Sequence, residues 1–120
     1  MIPQRIQRKR TAGWRRPDNA VIVDRTSRFG NPFKAADCIS EGFADSDADA
    51  RKVCVKAFDA WLDGEPDYAN VEPERRLRIL AELDTLTGKD LACACEPGEL
   101  CHGDSLIRRA NPRHVKAVAA

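Results

Sequence analysis

Asp90-Leu91-Ala92-Cys93-Ala94-Cys95-Glu96-Pro97-Gly98-Glu99-Leu100-Cys101-His102-Gly103-Asp104 is the stretch on which the fold turns. Residues 90–95 read as a small-residue strand, Pro97-Gly98 as a turn, and residues 103–110 as a short helix stopped by Asn111-Pro112. Side chains alternate along a strand, so Cys93 and Cys95 point to one face. The turn lets the chain return, so that Cys101 and His102 can meet them. Upstream, Ala20-Val21-Ile22-Val23-Asp24 is a β-branched run bounded by Pro17-Asp18-Asn19, and residues 4–8 alternate weakly. Both read as strands, with residues 20–24 the buried one. From about Asp47 the period changes: Cys54, Ala57, Phe58 and Trp61 fall at i, i+3, i+4 and i+7, one face of a helix ending at Gly64. A second helix starts near Pro73, with Glu72 and Glu74 at its positive end, and runs to about Thr87 before Gly88. Leu77, Ile79, Leu80, Leu83 and Leu86 give it a wide apolar face. Residues 34–48, with Gly42 and several aspartates but no period, read as a loop. This order predicts an α/β fold, a small single domain over residues 1–120, with a three- or four-stranded sheet packed against about three helices.

At 120 residues the chain is long enough for one core and too short for two. No run approaches the roughly 18 apolar residues of a membrane span, and no apolar segment follows the arginine-rich start. Neither membrane insertion nor secretion is expected. Five cysteines, an odd number, then read as metal ligands or reactive groups in a reducing cytoplasm. Charge is uneven: residues 1–34 hold nine Lys and Arg against two Asp, and the rest holds eleven against seventeen acids. That basic segment either contacts nucleic acid through Arg8, Lys9, Arg10, Arg15 and Arg16, or folds against the acidic remainder of this chain or of a second copy in a homodimer. Trp14 beside these arginines would either stack on a base or cover an edge of the core.

Cys93, Cys95, Cys101 and His102 supply the ligand set of a tetrahedral Cys3His zinc site, although the spacing is not a common one. Two other readings stay open. In one the group is metal-free and reactive: Cys101 stands before a helix, where backbone N–H groups favour a thiolate, His102 moves a proton, and Asp104 caps the helix or orients a partner. In the other the thiols only pack. Neither Cys38 nor Cys54 is expected to bind metal. A second constellation, residues 24–33, follows the β-branched strand where α/β sheets place ligand sites. Arg28, Phe29, Asn31 and Phe33 would suit a nucleotide base or phosphate there. Alternatively, Gly30-Asn31-Pro32 is only a turn and the two phenylalanines are core anchors.

The opening Pro3-Gln4-Arg5-Ile6-Gln7-Arg8-Lys9-Arg10 with Gly13-Trp14, the segment Arg28-Phe29-Gly30-Asn31-Pro32-Phe33, and Gly88-Lys89-Asp90-Leu91-Ala92-Cys93-Ala94-Cys95 with Cys101-His102-Gly103-Asp104 resemble a phage and actinobacterial family, domain of unknown function 4326. In that family the second motif usually begins with Trp where Phe29 stands, and the cysteine pair encloses Trp where Ala94 stands. The resemblance implies phage gene sets that make 7-deazaguanine bases for DNA, with the DpdL type linked to removal of a 7-carboxyl group. Carried onto this chain, it implies base and carboxylate recognition by Arg28, Asn31 and Phe33. The metal or acid/base centre would lie at Cys93, Cys95, Cys101 and His102, with His102, Asp104 and Cys101 as catalytic candidates. Two functions follow as expectations. One is an enzyme on a purine-type small molecule or nucleotide, a decarboxylase of 7-carboxy-7-deazaguanine. The other is a zinc-stabilised nucleic-acid-binding or interaction module without catalysis.

Overall fold

The computed structural model describes residues 3–9, 11–95 and 98–112. Strands β1 (Arg5–Gln7), β2 (Ala20–Ile22) and β3 (Asp90–Cys93) form one parallel sheet in the order β1-β3-β2. Its helices are α1 (Ala35–Ser40), α2 (Asp47–Leu62), α3 (Pro73–Glu82) and α4 (His102–Ala110). The chain is thus a small α/β domain. The last strand is the central one, with Leu91 and Ala92 wholly buried, so its short side chains let helices approach closely. Of the run 20–24, Ala20, Val23 and Asp24 are buried, while Val21 and Ile22 of edge strand β2 are half-buried.

The stripe predicted on α2 is the stripe that packs: Cys54, Ala57, Phe58 and Trp61 are all buried. Ser46 starts this helix by accepting the Asp49 N–H at 3.2 Å. Gly64 ends it with φ +83°, a conformation that favours glycine. Arg76 of α3 then donates to the carbonyls of Trp61 (2.7 Å) and Leu62 (3.0 Å) at that end. Trp61 also donates its indole N–H to the Val71 carbonyl at 2.7 Å, which fixes the connection between the two helices.

Four expectations need correction. Residues 34–48 are not wholly a loop, since Ala35–Ser40 is helical; none of its residues is buried, so it carries no apolar period to read. The helix from Pro73 does not run to Thr87 as one element: the α-helix ends at Glu82 and Leu83–Leu86 tightens into a 3-10 turn that buries Leu86. Leu77 does not belong to the apolar face, being 60% exposed. Strand β3 ends at Cys93, so Cys95 lies in the bend after it, and Pro97 of the expected turn lies outside the described residues. No helix among the described residues is long and apolar enough to cross a membrane.

Candidate metal centre and its cavity

Parallel strands deliver their carboxyl ends to one edge of a sheet, where ligand sites gather. Cys93 ends β3 there, and Val23-Asp24 follow β2. The chain returns through Leu100, and Cys101 becomes the cap of α4, its sulfur accepting the Gly103 N–H at 3.4 Å. Asp104, in the first turn, makes no cap of its own. The Sγ atoms of Cys93, Cys95 and Cys101 lie within 4.8 Å of one another, and Cys93 and Cys95 are 3.8 Å apart. A tetrahedral ion with metal–sulfur bonds of about 2.3 Å sets its sulfurs about 3.8 Å apart, so this pair already matches one edge of such a site. The three cysteines form a group that could hold a metal ion.

His102, the expected fourth ligand, stands beside this group but not in it, since its ring nitrogens do not lie within 4.8 Å of all three sulfurs. The Val23 carbonyl can only accept, so the His102 Nε2–H donates to it at 2.7 Å, and Nδ1 is left with its lone pair 3.8 Å from the Cys101 sulfur. An imidazole whose second nitrogen is fixed by a backbone carbonyl is the arrangement found for metal-bound histidines. Burial lowers its pKa and favours the neutral ring a metal requires.

Hydrogen bonds from Cys101 and Cys93, then the Arg51 and Arg5 guanidinium groups, hold Cys95 well below the ordinary thiol range. Cys101, bonded to Cys93 and Cys95 and buried, is raised. Arg51 donates to the Cys95 sulfur at 3.2 Å. Arg5 clamps the loop: its guanidinium reaches the carbonyls of Cys95 (3.2 Å) and Glu99 (2.6 Å) and pairs with Asp104 at 3.1 Å. Two arginines therefore position the cysteine loop, a role that the basic composition of residues 1–34 did not reveal for Arg5.

A cavity of about 330 Å³ opens against the cysteines, lined also by Asn31, Phe33, Arg25, Arg51 and His102. This lies within the size range of small-molecule sites. Asn31 and Phe33 thus meet Cys93, Cys95, Cys101 and His102 in one place. The structure does not bring the other candidates there. Phe29 is 2% exposed in the core. Arg28 stacks over the Phe29 ring, pairs with Glu82 at 3.2 Å, and opens onto a different pocket with Arg75 and Arg78. Asp104 lines a third surface depression. Asn31 is itself engaged, donating to the Cys54 carbonyl (3.1 Å) and accepting from the Phe33 N–H (2.9 Å), so it shapes the wall. Of the two arginines that line the cavity, Arg51 is engaged with Cys95 and Glu99, whereas Arg25 is exposed and without a hydrogen bond or ion pair from its side chain among the described residues. Its signal was its place directly after Asp24 at the strand end. In the basic segment Arg8 is bound to Asp24 at 2.5 Å and Arg16 to the Ala20 carbonyl, while Lys9 and Arg15 are exposed; Arg10 lies outside the described residues. Trp14 is half-buried.

Fold and site together define a small parallel α/β domain with a metal-competent three-cysteine group on the wall of a ligand-sized cavity. Residues 6–112 match the family described as domain of unknown function (DUF4326), and the chain belongs to that family. No curated protein and no solved structure matches it.

Proposed function

We propose that this protein is a zinc-centred enzyme acting on a modified purine base or nucleotide, and that its reaction is decarboxylation of a 7-carboxy-7-deazaguanine-type base. One observation carries the reading: the three cysteines lie on a cavity wall that also holds an aromatic ring, Phe33, and a guanidinium, Arg25, whose side chain has no hydrogen bond or ion pair among the described residues. Cys93, Cys95 and Cys101 would hold the ion, with His102 Nδ1 as the fourth donor or as a neighbour that leaves one position open. Zinc at such a site supplies Lewis-acid polarisation of an oxygen ligand. Phe33 offers a face or edge to the base, and Arg25 pairs with the carboxylate at the mouth. Asn31 keeps Phe33 and Cys54 in place. Loss of CO2 from an electron-rich pyrrole ring requires a proton at the carbon that loses it. Cys101 and His102 line the cavity but are committed here to the ion and to the Val23 carbonyl, and Asp104 faces away from the cavity in its pair with Arg5, so the proton would come from a water in the cavity, which a bound zinc would acidify.

The test is incubation of the zinc-loaded protein with 7-carboxy-7-deazaguanine as base, nucleoside and nucleotide, read by mass spectrometry for loss of CO2 and by calorimetry for binding. Turnover or binding that falls at least tenfold in Arg25→Ala supports the enzyme. A folded, zinc-loaded protein that neither binds nor converts any of the three overturns it. A second reading, a zinc-stabilised module that binds nucleic acid, is favoured by the Nδ1 lone pair beside Cys101, which would close the metal site. Salt-dependent DNA or RNA binding that disappears when Lys9, Arg10, Arg15 and Arg16 are neutralised would support it. Arg8 is left intact in that variant because it holds Asp24.

A further inference from the structure

Cys38 and Cys54 stand apart from the three-cysteine group, yet the fold brings their sulfurs to 3.3 Å. Cys54, 5% exposed, is on the packed face of α2, whereas Cys38 is half-buried on α1. The pair therefore sits in the seam between these helices. That seam is part of the cavity wall, because both Cys54 and Ala35 of α1 line the cavity. It is also tied to the Asn31 loop through the bond from the Asn31 amide to the Cys54 carbonyl. Helix α1 buries none of its residues and is only six residues long, so little besides this seam holds it.

We infer that Cys38 and Cys54 form a reversible intramolecular disulfide that fastens α1 to α2 at the cavity wall, with a small disulfide such as oxidised glutathione as the oxidant. The sulfurs need to close by about 1.3 Å to reach bonding distance, a movement the lightly held α1 can supply. Cys38 is the accessible member, so its thiolate attacks one sulfur of the oxidant and expels the first small thiolate. Cys54 then attacks the Cys38 sulfur of the mixed disulfide and expels the second. Two protein thiols are oxidised and one small disulfide is reduced to two small thiols, which carry away the two protons. Burial, and then the hydrogen bond with Cys38, push the Cys54 thiol up to about 12, which suits a partner that acts second and through proximity. The exchange reverses when reduced glutathione is in excess. The inference does not depend on the proposed decarboxylation.

The experiment is equilibration of the folded full-length protein in glutathione redox buffers, followed by acid quench and peptide mapping of the linkage. The expected result is a peptide joining Cys38 to Cys54 whose fraction follows the ratio of oxidised to reduced glutathione. The oxidised form melts about 10 °C higher, from closing a ring whose ends are 16 residues apart. Amide exchange in residues 35–40 slows at least tenfold. Cys38→Ser, a change on a helix with no buried residue, folds and shows none of these effects in any buffer. Absence of the Cys38–Cys54 peptide under excess oxidised glutathione, with both thiols still open to alkylation after unfolding, overturns the inference. So does a linkage that leaves melting and exchange unchanged.

Discussion

Replacing Asp24 by alanine removes the carboxylate that joins the ends of β1 and β2 at the cavity edge. One oxygen accepts from the Thr26 N–H (3.0 Å) and the Thr26 hydroxyl (2.5 Å), and the other from Arg8 (2.5 Å). The Asp24 side chain is 4% exposed and the Arg8 side chain 28%. Breaking a fully buried pair costs about 3–5 kcal/mol, but here Arg8 and Thr26 can regain water, so the expected loss is about 2–3 kcal/mol. With about 2.1 cal/mol/K per residue of unfolding entropy over 120 residues, the melting point should fall by about 10 °C. Asp24→Asn, which keeps an acceptor for Thr26 but turns a donor toward Arg8, should fall between wild type and alanine.

The pH dependence has a definite sign. Burial alone would raise the Asp24 pKa, but hydrogen bonds from Thr26 and Arg8 outweigh it and hold the folded value below the ordinary 3.8. The contribution of the charge is therefore complete above about pH 4 and is lost as pH falls through the lower folded value. Urea unfolding of wild type and Asp24→Asn from pH 7 down to pH 2 measures this: the gap should be full at neutral pH and narrow in acid. A loss under about 0.5 kcal/mol for Asp24→Ala at pH 7, or a gap that widens as pH falls, would refute the reasoning.

Gly30→Ala tests the loop that presents Arg25. An added Cβ would meet the Arg25 carbonyl oxygen at 2.8 Å and its Cα at 2.9 Å, both rigid backbone. A loss of about 1–3 kcal/mol in denaturant unfolding is expected, with a shift of the Arg25 resonances by NMR. Ser46→Ala removes the cap of α2 and should cost about 1 kcal/mol by urea unfolding, leaving metal content unchanged, since the Ser46 side chain bonds to the Asp49 N–H and not to Cys93, Cys95 or Cys101.

The sequence displays what depends on period and on strong punctuation. Cys54, Ala57, Phe58 and Trp61 mark α2 because the helix has one buried face, and Pro73 and Gly64 mark boundaries through their own backbone preferences. Cys93-Ala94-Cys95 with Cys101 could be assembled because alternation and one turn suffice, even though Cys95 proves to lie past the strand end. What was hidden depends on tertiary placement. Helix α1 leaves no apolar imprint, and so the approach of Cys38 to Cys54 has no local signal. Arg25 and Arg28 are three residues apart in one loop, and only the fold turns the first to the cavity and the second to Glu82. Net charge reads Arg5 and Arg8 as surface cations, whereas each is paired with an acid, Asp104 and Asp24.

The metal centre is the central claim, and metal content tests it most directly. Elemental analysis would be made on protein purified under reducing conditions without chelator, beside Cys93→Ser and Cys101→Ser. Serine at position 101 retains an oxygen that can cap α4, so that variant removes a thiolate ligand without removing the cap. The account predicts about one zinc per wild-type chain and loss of the metal in both variants, with the fold of Cys101→Ser retained by circular dichroism. A well-folded wild-type protein with no bound metal, or variants that keep the full complement, would contradict it.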